Sequence, residues 1–247
     1  MSLPFFYIEK IFDNNSSFPL SEDTSKHIIQ VLRMKAGEQL KLTNGKGKII
    51  TTEIISENKK ATEVKVLSTD NLQPLTSKIS IAISLIKNNS RFEWFLEKAT
   101  EIGVSEIIPL LCERTEKQNF RYERMNNILI SAMLQSQQSW LPILHEPIKF
   151  NEFIKNSTHQ QKYIAHCDES EKANLLNANK KAETSQVLPV GEDLGGALIL
   201  IGPEGDFTKA EIDHALQNNF VPVSLGETRL RTETAGIVAA VLLNQKH

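Results

Sequence analysis

Apolar positions fall into two regimes along this chain. At the front they come in short runs: Phe5 to Ile8, Gln39 to Leu42, Ile49 to Ile55 and Ala61 to Leu67. Thr62-Glu63-Val64-Lys65-Val66 alternates polar and apolar, as a half-buried strand does. Asn44-Gly45-Lys46-Gly47 separates two runs, and Asn-Gly suits the positive φ of a type I′ turn, so a hairpin is predicted there. One short helix interrupts, with Ser21 as N-cap and Ile28, Ile29 and Leu32 at helical spacing. The front therefore reads as a small β-rich domain, ending in a linker from Asp70 to Ser77 that contains Pro74.

From Lys78 the pattern becomes strand, helix, strand, helix. Ile79 to Ile86 is a β-branched run. Ser90 with Glu93 forms a predicted capping box, followed by the stripe Phe92, Phe95, Leu96, Ala99 and Ile102 and a terminating Gly103. Val104 to Leu111, Lys162 to Cys167, Ala197 to Ile201 and Val221 to Leu225 read as strands, and Tyr122 to Gln138 as a helix. Thr208 and Glu211 form a second capping box, for a helix ending near Asn218-Asn219. Thr232 or Thr234 opens a last helix through Ala235 to Leu243, apolar nearly all round and hence expected to be buried by its own sheet or by a partner. Lys155 to Gln161 and Asn177 to Asp193 read as polar loops. Such alternation predicts an α/β domain with a mostly parallel sheet.

Composition removes several classes. With 247 residues, 40% hydrophobic and 23% charged, the chain can bury a real core. Cys112 and Cys167 are too few for a disulfide framework, and none of the six histidines stands at zinc-ligand spacing from them, so no metal is expected. The longest apolar stretch falls far short of the roughly 18–20 residues of a membrane span, and no signal peptide is visible, so a cytoplasmic protein is expected. A net charge of −2 means that a nucleic-acid partner must be held by a local patch. G-x-G-x-x-G, P-loop and G-x-S-x-G motifs are absent from the sequence. His166-Cys167 reads most simply as a satisfied, partly buried pair at a strand end.

Two loops stand out near the C-terminus. Ile201-Gly202-Pro203-Glu204-Gly205-Asp206 runs from a buried strand into a capped helix, and its glycines would let a flat ligand approach the backbone. Leu225-Gly226-Glu227-Thr228-Arg229-Leu230-Arg231-Thr232-Glu233-Thr234-Ala235 likewise links a strand to a helix. Its charges are costly to bury unless paired or bound, and an Arg231–Glu233 ion pair is the plain structural alternative. Both loops belong to the carboxyl edge of one sheet, where α/β proteins bind ligands.

These loops resemble the signature of the SPOUT methyltransferases and, more narrowly, of the RsmE family, which methylates N3 of a uridine in bacterial 16S ribosomal RNA. Ser21-Glu22-Asp23, His27, Val31-Leu32-Arg33-Met34 and Gly37 resemble that family's front domain. Lys98-Ala99-Thr100-Glu101-Ile102-Gly103-Val104 and Glu113-Arg114 resemble its central motifs. The resemblance implies a PUA-like β-barrel over residues 1–72, then a SPOUT α/β domain over 73–247 with a C-terminal trefoil knot. It implies S-adenosyl-L-methionine as methyl donor, 16S ribosomal RNA or the small ribosomal subunit as partner, and a homodimer with the donor site near the interface.

On that reading, Leu200, Ile201, Gly202, Pro203, Glu204, Gly205, Leu225, Gly226, Leu230, Arg231, Thr232, Thr234 and Ala235 hold the donor, with His166 lining the same pocket. Arg231 is the expected catalytic cation and Glu204 the candidate base, with Glu233 orienting the loop. Arg33, Lys35, Lys87, Arg91 and Arg114 are the expected RNA contacts. The sequence departs from the family in three places. Leu134-Gln135-Ser136-Gln137-Gln138 replaces Glu-Gln-Ser-Gly-Arg, Leu3-Pro4 stands where an early arginine is usual, and Asp206 replaces the second glycine of Pro-Glu-Gly-Gly. A non-catalytic ribosome-assembly protein, or a SPOUT enzyme acting on another RNA, are the alternatives.

Overall fold

The computed structural model describes residues 3–73, 77–116, 119–168, 171–185 and 194–245. The chain divides into two compact units, Met1–Pro74 with Met133–Leu141, and Leu75–Ala132 with Pro142–His247.

The front unit holds β1 (Phe5–Tyr7), β2 (Ser17–Pro19), α1 (Glu22–Lys26), β3 (Gln39–Thr43), β4 (Lys48–Ser56) and β5 (Glu63–Asn71). They form one sheet in the order β1-β3-β4-β5-β2, antiparallel except for the β1–β3 edge. Alternation in β4 and β5 sends Ile50, Ile54, Val64 and Val66 inward, where they meet Leu40, Leu42 and Ile28. Ser21 caps α1 as expected, accepting the Thr24 N–H, and the following turn, His27–Val31, widens into a π-helix that buries Ile28.

The β3–β4 hairpin forms, but not through a type I′ turn. Gly45 and Gly47 carry the positive φ, and Asn44 does not. The longer loop is shaped by residues after α3 (Tyr122–Gln135). The Gly47 N–H donates to the Ser139 carbonyl at 2.8 Å, and the Leu141 N–H to that of Gly45 at 2.8 Å. A Cβ on Gly47 would stand 2.1 Å from Cζ2 of Trp140, so glycine is required for that ring to pack. Helix α3 stops at Gln135, short of the expected Gln138. Gln137 takes φ 55°, and the N–H groups of Gln137 and Gln138 donate to the carbonyls of Leu134 and Met133, a Schellman ending built without glycine.

The second unit opens with β6 (Ser77–Ser84), α2 (Asn89–Ile102) and β7 (Glu106–Leu111), and after α3 continues with β8 (Ile143–Leu144), β9 (Ile148–Lys149), α4 (Phe150–Asn156) and β10 (Gln161–Ala165). It ends with β11 (Ala173–Asn174), α5 (Leu175–Ser185), β12 (Leu194–Ile201), α6 (Lys209–Gln217), β13 (Val221–Ser224) and α7 (Thr232–Asn244). The parallel sheet runs β11-β13-β10-β12-β6-β7-β8, with β9 added to β7. Its middle strands are β-branched and buried on both faces, with Ile79, Ile81, Ile83, Ile164, Leu198, Ile199 and Leu200 nearly or wholly inaccessible.

Several expectations are corrected. Asp70 and Asn71 belong to β5 and Ser77 to β6, so both ends of the expected linker are strand, while Pro74 to Thr76 lie outside the described residues. Asn88, not Ser90, caps α2, its Oδ1 accepting the Ser90 N–H at 2.9 Å. Glu93 is instead held by Arg124 at 2.6 Å. Asn177–Ser185, expected as loop, lies in α5, which docks through buried Leu175 and Asn179; residues 186–193 lie outside the described residues. Helix α4 was hidden by its shortness, although Phe150 and Ile154 are buried one turn apart. The Thr208–Glu211 capping box and left-handed Gly103 form as expected. Helix α7 packs on α2 and β6, with Gly236 making room for Phe95. Among the described residues no helix is long and apolar enough to cross a membrane.

Candidate functional site

Strand β10 lies between β12 and β13, both of which follow it in the chain, so successive strands fall on opposite sides of it. Ligand crevices form outside the carboxyl ends of strands at such a switch. Three strand ends bound a cavity of about 690 Å³ there. The end of β10 supplies Ala165, His166 and Cys167, with Lys172 beyond them. From β12 come Ile201 to Glu204 and Asp206, and from β13 the whole run Val223 to Thr232, with Ala235 in the first turn of α7.

Neighbouring strand ends hold the turn after β12. The Asp206 N–H closes it on the Pro203 carbonyl at 2.9 Å. Arg114 Nη1 donates to the Gly205 carbonyl at 2.6 Å, and the Lys87 N–H to Glu204 Oε1 at 3.3 Å. The Cys167 N–H donates to Asp206 Oδ2 at 2.7 Å. The glycines serve packing more than ligand approach. A Cβ on Gly202 would meet the Phe207 ring at 3.1 Å, and one on Gly205 would meet Arg114 at 3.3 Å. Gly226 is the open one, at φ 138° with nothing near its missing Cβ.

Eleven expected donor residues line the cavity: His166, Ile201, Gly202, Pro203, Glu204, Leu225, Gly226, Leu230, Arg231, Thr232 and Ala235. Leu200, Gly205 and Thr234 are not among its lining. The Leu200 side chain belongs to the core, and Gly205 turns to Arg114. Cys167, Lys172 and Asp206 also line the cavity and were not among the expected donor residues. Only the odd aspartate in a glycine-rich turn gave a signal.

His166 is not the satisfied residue that the sequence suggested. It lies just past β10, 7% exposed, and neither ring nitrogen has a hydrogen-bond partner. Burial and then the Lys172 ammonium push its imidazole below the ordinary value, while Asp206 and Asp168 act the other way. A buried neutral imidazole offers one donor and one acceptor, and leaving them unmet costs about 1–3 kcal/mol. Lys172 closes the loop beside it, its Nζ donating to the carbonyls of His166 (3.0 Å) and Asp168. Among the described residues no group of three or more His, Cys, Asp or Glu is placed to hold a metal ion.

The charges sort differently from expectation. Arg231 is exposed on the rim at the N-cap of α7. Glu233 does not pair with it. Its buried carboxylate faces Arg91 on α2, Nε to Oε1 3.7 Å, which ties the first turn of α7 to α2. Of the expected RNA contacts, Lys35 pairs with Glu57 at 3.3 Å, Lys87 with Glu116 at 2.6 Å, and Arg114 holds the Gly205 carbonyl. Arg33 is exposed at φ 57°. Exposed pairs such as those of Lys35 and Lys87 are worth little and can open to a phosphate. Arg91 and Arg114 are occupied in bracing the loops.

Comparison with known proteins identifies the family and the fold. The RNA methyltransferase domain model matches residues 73–244, and the RNA methyltransferase PUA domain model residues 20–67. The ribosomal RNA small subunit methyltransferase E of Buchnera aphidicola (subsp. Schizaphis graminum) is 28% identical, over 99% of this chain and 96% of the relative. The crystal structure of a probable rRNA-methyltransferase from Porphyromonas gingivalis is 38% identical, with TM-score 0.83 over 96% of this chain and 95% of that one. The ribosomal RNA small subunit methyltransferase E of Neisseria gonorrhoeae, bound to S-adenosyl methionine, is 26% identical, with TM-score 0.81 over 97% and 95%.

Proposed function

The chain belongs to the RNA methyltransferase family that carries a PUA domain, that of the ribosomal RNA small subunit methyltransferases E, and on that premise we propose that it methylates N3 of a uridine in 16S ribosomal RNA with S-adenosyl-L-methionine. The observation that carries the reading is the crevice where three strand-end loops meet over the unpartnered ring of His166. Its volume lies within the usual range for small-ligand sites.

The donor, when bound, supplies an electrophilic methyl group on a sulfonium sulfur. The chain's own work is to hold donor and base in attack geometry, which can contribute roughly 7–11 kcal/mol. The Gly202–Pro203 and Leu225–Gly226 backbones, Leu230, Thr232 and Ala235 form the cradle. Uracil N3 carries a proton at neutral pH. Arg231, a rim cation, offsets the charge that develops as this proton leaves, and Glu204 is the rim carboxylate that can take it up.

The front unit and the surface cations Arg33, Lys35 and Lys87 grip the RNA backbone while the base is extruded. We read the last helix as the closing segment of a trefoil knot and as part of a homodimer interface. It leaves Val241 42% exposed and Ile237, Val238 and Leu242 half-buried, a face that a second copy would cover. A substrate in the small subunit sets the protein in the cytoplasm. Calorimetric titration with S-adenosyl-L-methionine, followed by nucleoside mass mapping of small-subunit RNA from a deletion strain, tests the proposal. Donor binding and loss of one N3-methyluridine are expected. Absence of donor binding sinks it.

A further inference from the structure

Asp206 stands in the left-handed region at φ 64°, where a side chain is disfavoured, in a turn that lines the cavity. Both carboxylate oxygens are used. Oδ1 accepts the Phe207 N–H at 2.8 Å, and Oδ2 reaches across to the Cys167 N–H at 2.7 Å. The second bond joins the turn after β12 to the residue following His166. His166 lines the cavity and both its ring nitrogens are buried and unpartnered, so what its imidazole can reach depends on where that loop is held. From the other side Arg114 pulls on the Gly205 carbonyl, and Lys172 closes the far end of the His166 loop. The position is therefore an interlock between two cavity walls, made by a residue that pays in backbone strain for its bond.

We propose that Asp206 is a positioning residue: its carboxylate clasps the β10-end loop to the Pro203–Asp206 turn and so presents the His166 imidazole to polar atoms of the bound methyl donor. The proposal rests on the donor reading above and deepens it. A carboxylate accepting a backbone N–H is a charge-assisted bond, stronger than a neutral one. Glycine at 206 fits the backbone better than aspartate and removes the clasp, so local stability and donor binding should move in opposite directions. Asparagine tolerates the left-handed conformation and keeps one acceptor oxygen, so it should restore part of the binding.

The test compares the wild type, Asp206→Gly and Asp206→Asn as full chains. Thermal melts, calorimetry with S-adenosyl-L-methionine, steady-state kinetics and the ¹⁵N imidazole resonances of His166 are the readouts. The Gly variant is expected to melt no lower than the wild type and to bind the donor ~10-fold more weakly, the size of a charged hydrogen bond. Its KM for donor should rise by more than kcat falls, and its His166 resonances should shift less on saturation with donor. The Asn variant should fall between. A folded Gly variant with wild-type donor affinity, or an Asn variant no better than Gly, overturns the clasp. A wild-type chain that binds no donor overturns the donor reading itself, and the clasp with it.

Discussion

The Thr232 hydroxyl donates to the Gly202 carbonyl at 3.0 Å, joining the first turn of α7 to the end of β12 inside the structure. The bond braces the two loops that the sequence singled out, as a direct side-chain link between them. Valine at 232 keeps the shape and removes the donor, leaving a buried carbonyl unmet. Thr232→Val should cost about 1–3 kcal/mol in urea unfolding. It should also weaken binding of S-adenosyl-L-methionine, while Thr232→Ser retains both. Equal donor affinity in the two variants would show that the brace does not shape the site.

Much of this was legible because the signals were local. Period-two alternation in Thr62–Val66, β-branched runs in the parallel strands, the Thr208–Glu211 box and Gly103 each depend on neighbours within a few residues. The two Gly-containing loops were legible as a pair because each follows a buried strand. What was missed depends on partners far along the chain. Glu233 looked like a partner for Arg231, two residues before it, but faces Arg91 on another helix. Asn88 displaced Ser90 as cap because its carboxamide reaches two residues on, which composition alone does not decide. Gln137 takes the left-handed conformation that ends α3, where a glycine would have been the signal. Helix α5 is polar on most positions and is fixed by the burial of Leu175.

Arg231 is exposed and makes no side-chain cap bond, so the fold does not depend on its guanidinium. Arg231→Ala should change stability by no more than about 0.5 kcal/mol. If its cation offsets the negative charge that develops on uracil as the N3 proton leaves, kcat should fall ~10²–10³-fold, as for loss of one electrostatic stabiliser. Arg231→Lys should recover part of it. Methyl incorporation into small-subunit RNA at saturating donor is the measurement, and an unchanged rate returns Arg231 to the surface.

Glu106 gives the α/β unit a defined acid sensitivity. A hydrogen bond from His159 and others from Ser80 and His145 lower its carboxyl from 4.5 to about 2, against burial. A folded-state value below the unfolded one stabilises the fold above pH 4.5, and this contribution is lost as pH falls toward 2. At most it is ~3 kcal/mol. Urea unfolding at stepped pH should show wild type losing stability over that window faster than Glu106→Gln. Parallel curves would contradict the assignment.

Two glycines of the front unit separate strain from packing. Gly37, at φ 88°, has nothing within 4 Å of a built Cβ, whereas Gly47, at φ 77°, would place one 2.1 Å from the Trp140 ring. Gly37→Ala should cost only the left-handed penalty, about 1–2 kcal/mol. Gly47→Ala adds overpacking of about 1–3 kcal/mol and should shift Trp140 fluorescence. Thermal melts that rank the two equally would mean the ring moves aside freely.

Arg91 was expected to touch RNA, yet it lies against a carboxylate that is buried on α7. Removing one member of a buried pair leaves an uncompensated charge, whereas removing both does not. Arg91 is itself 39% exposed, which tempers the cost through solvent screening. Arg91→Ala should therefore destabilise by about 1–3 kcal/mol. Arg91→Ala with Glu233→Gln should recover most of that, the coupling of a double-mutant cycle. A phosphate contact would behave otherwise. It would lower RNA affinity and flatten its dependence on salt in the single variant, leave the melt unchanged, and gain nothing from the second substitution. Urea unfolding and RNA binding at two salt concentrations, run on the same three proteins, decide between the two roles. A stable Arg91→Ala with a reduced salt slope would return Arg91 to the RNA surface and leave Glu233 to be explained by other means.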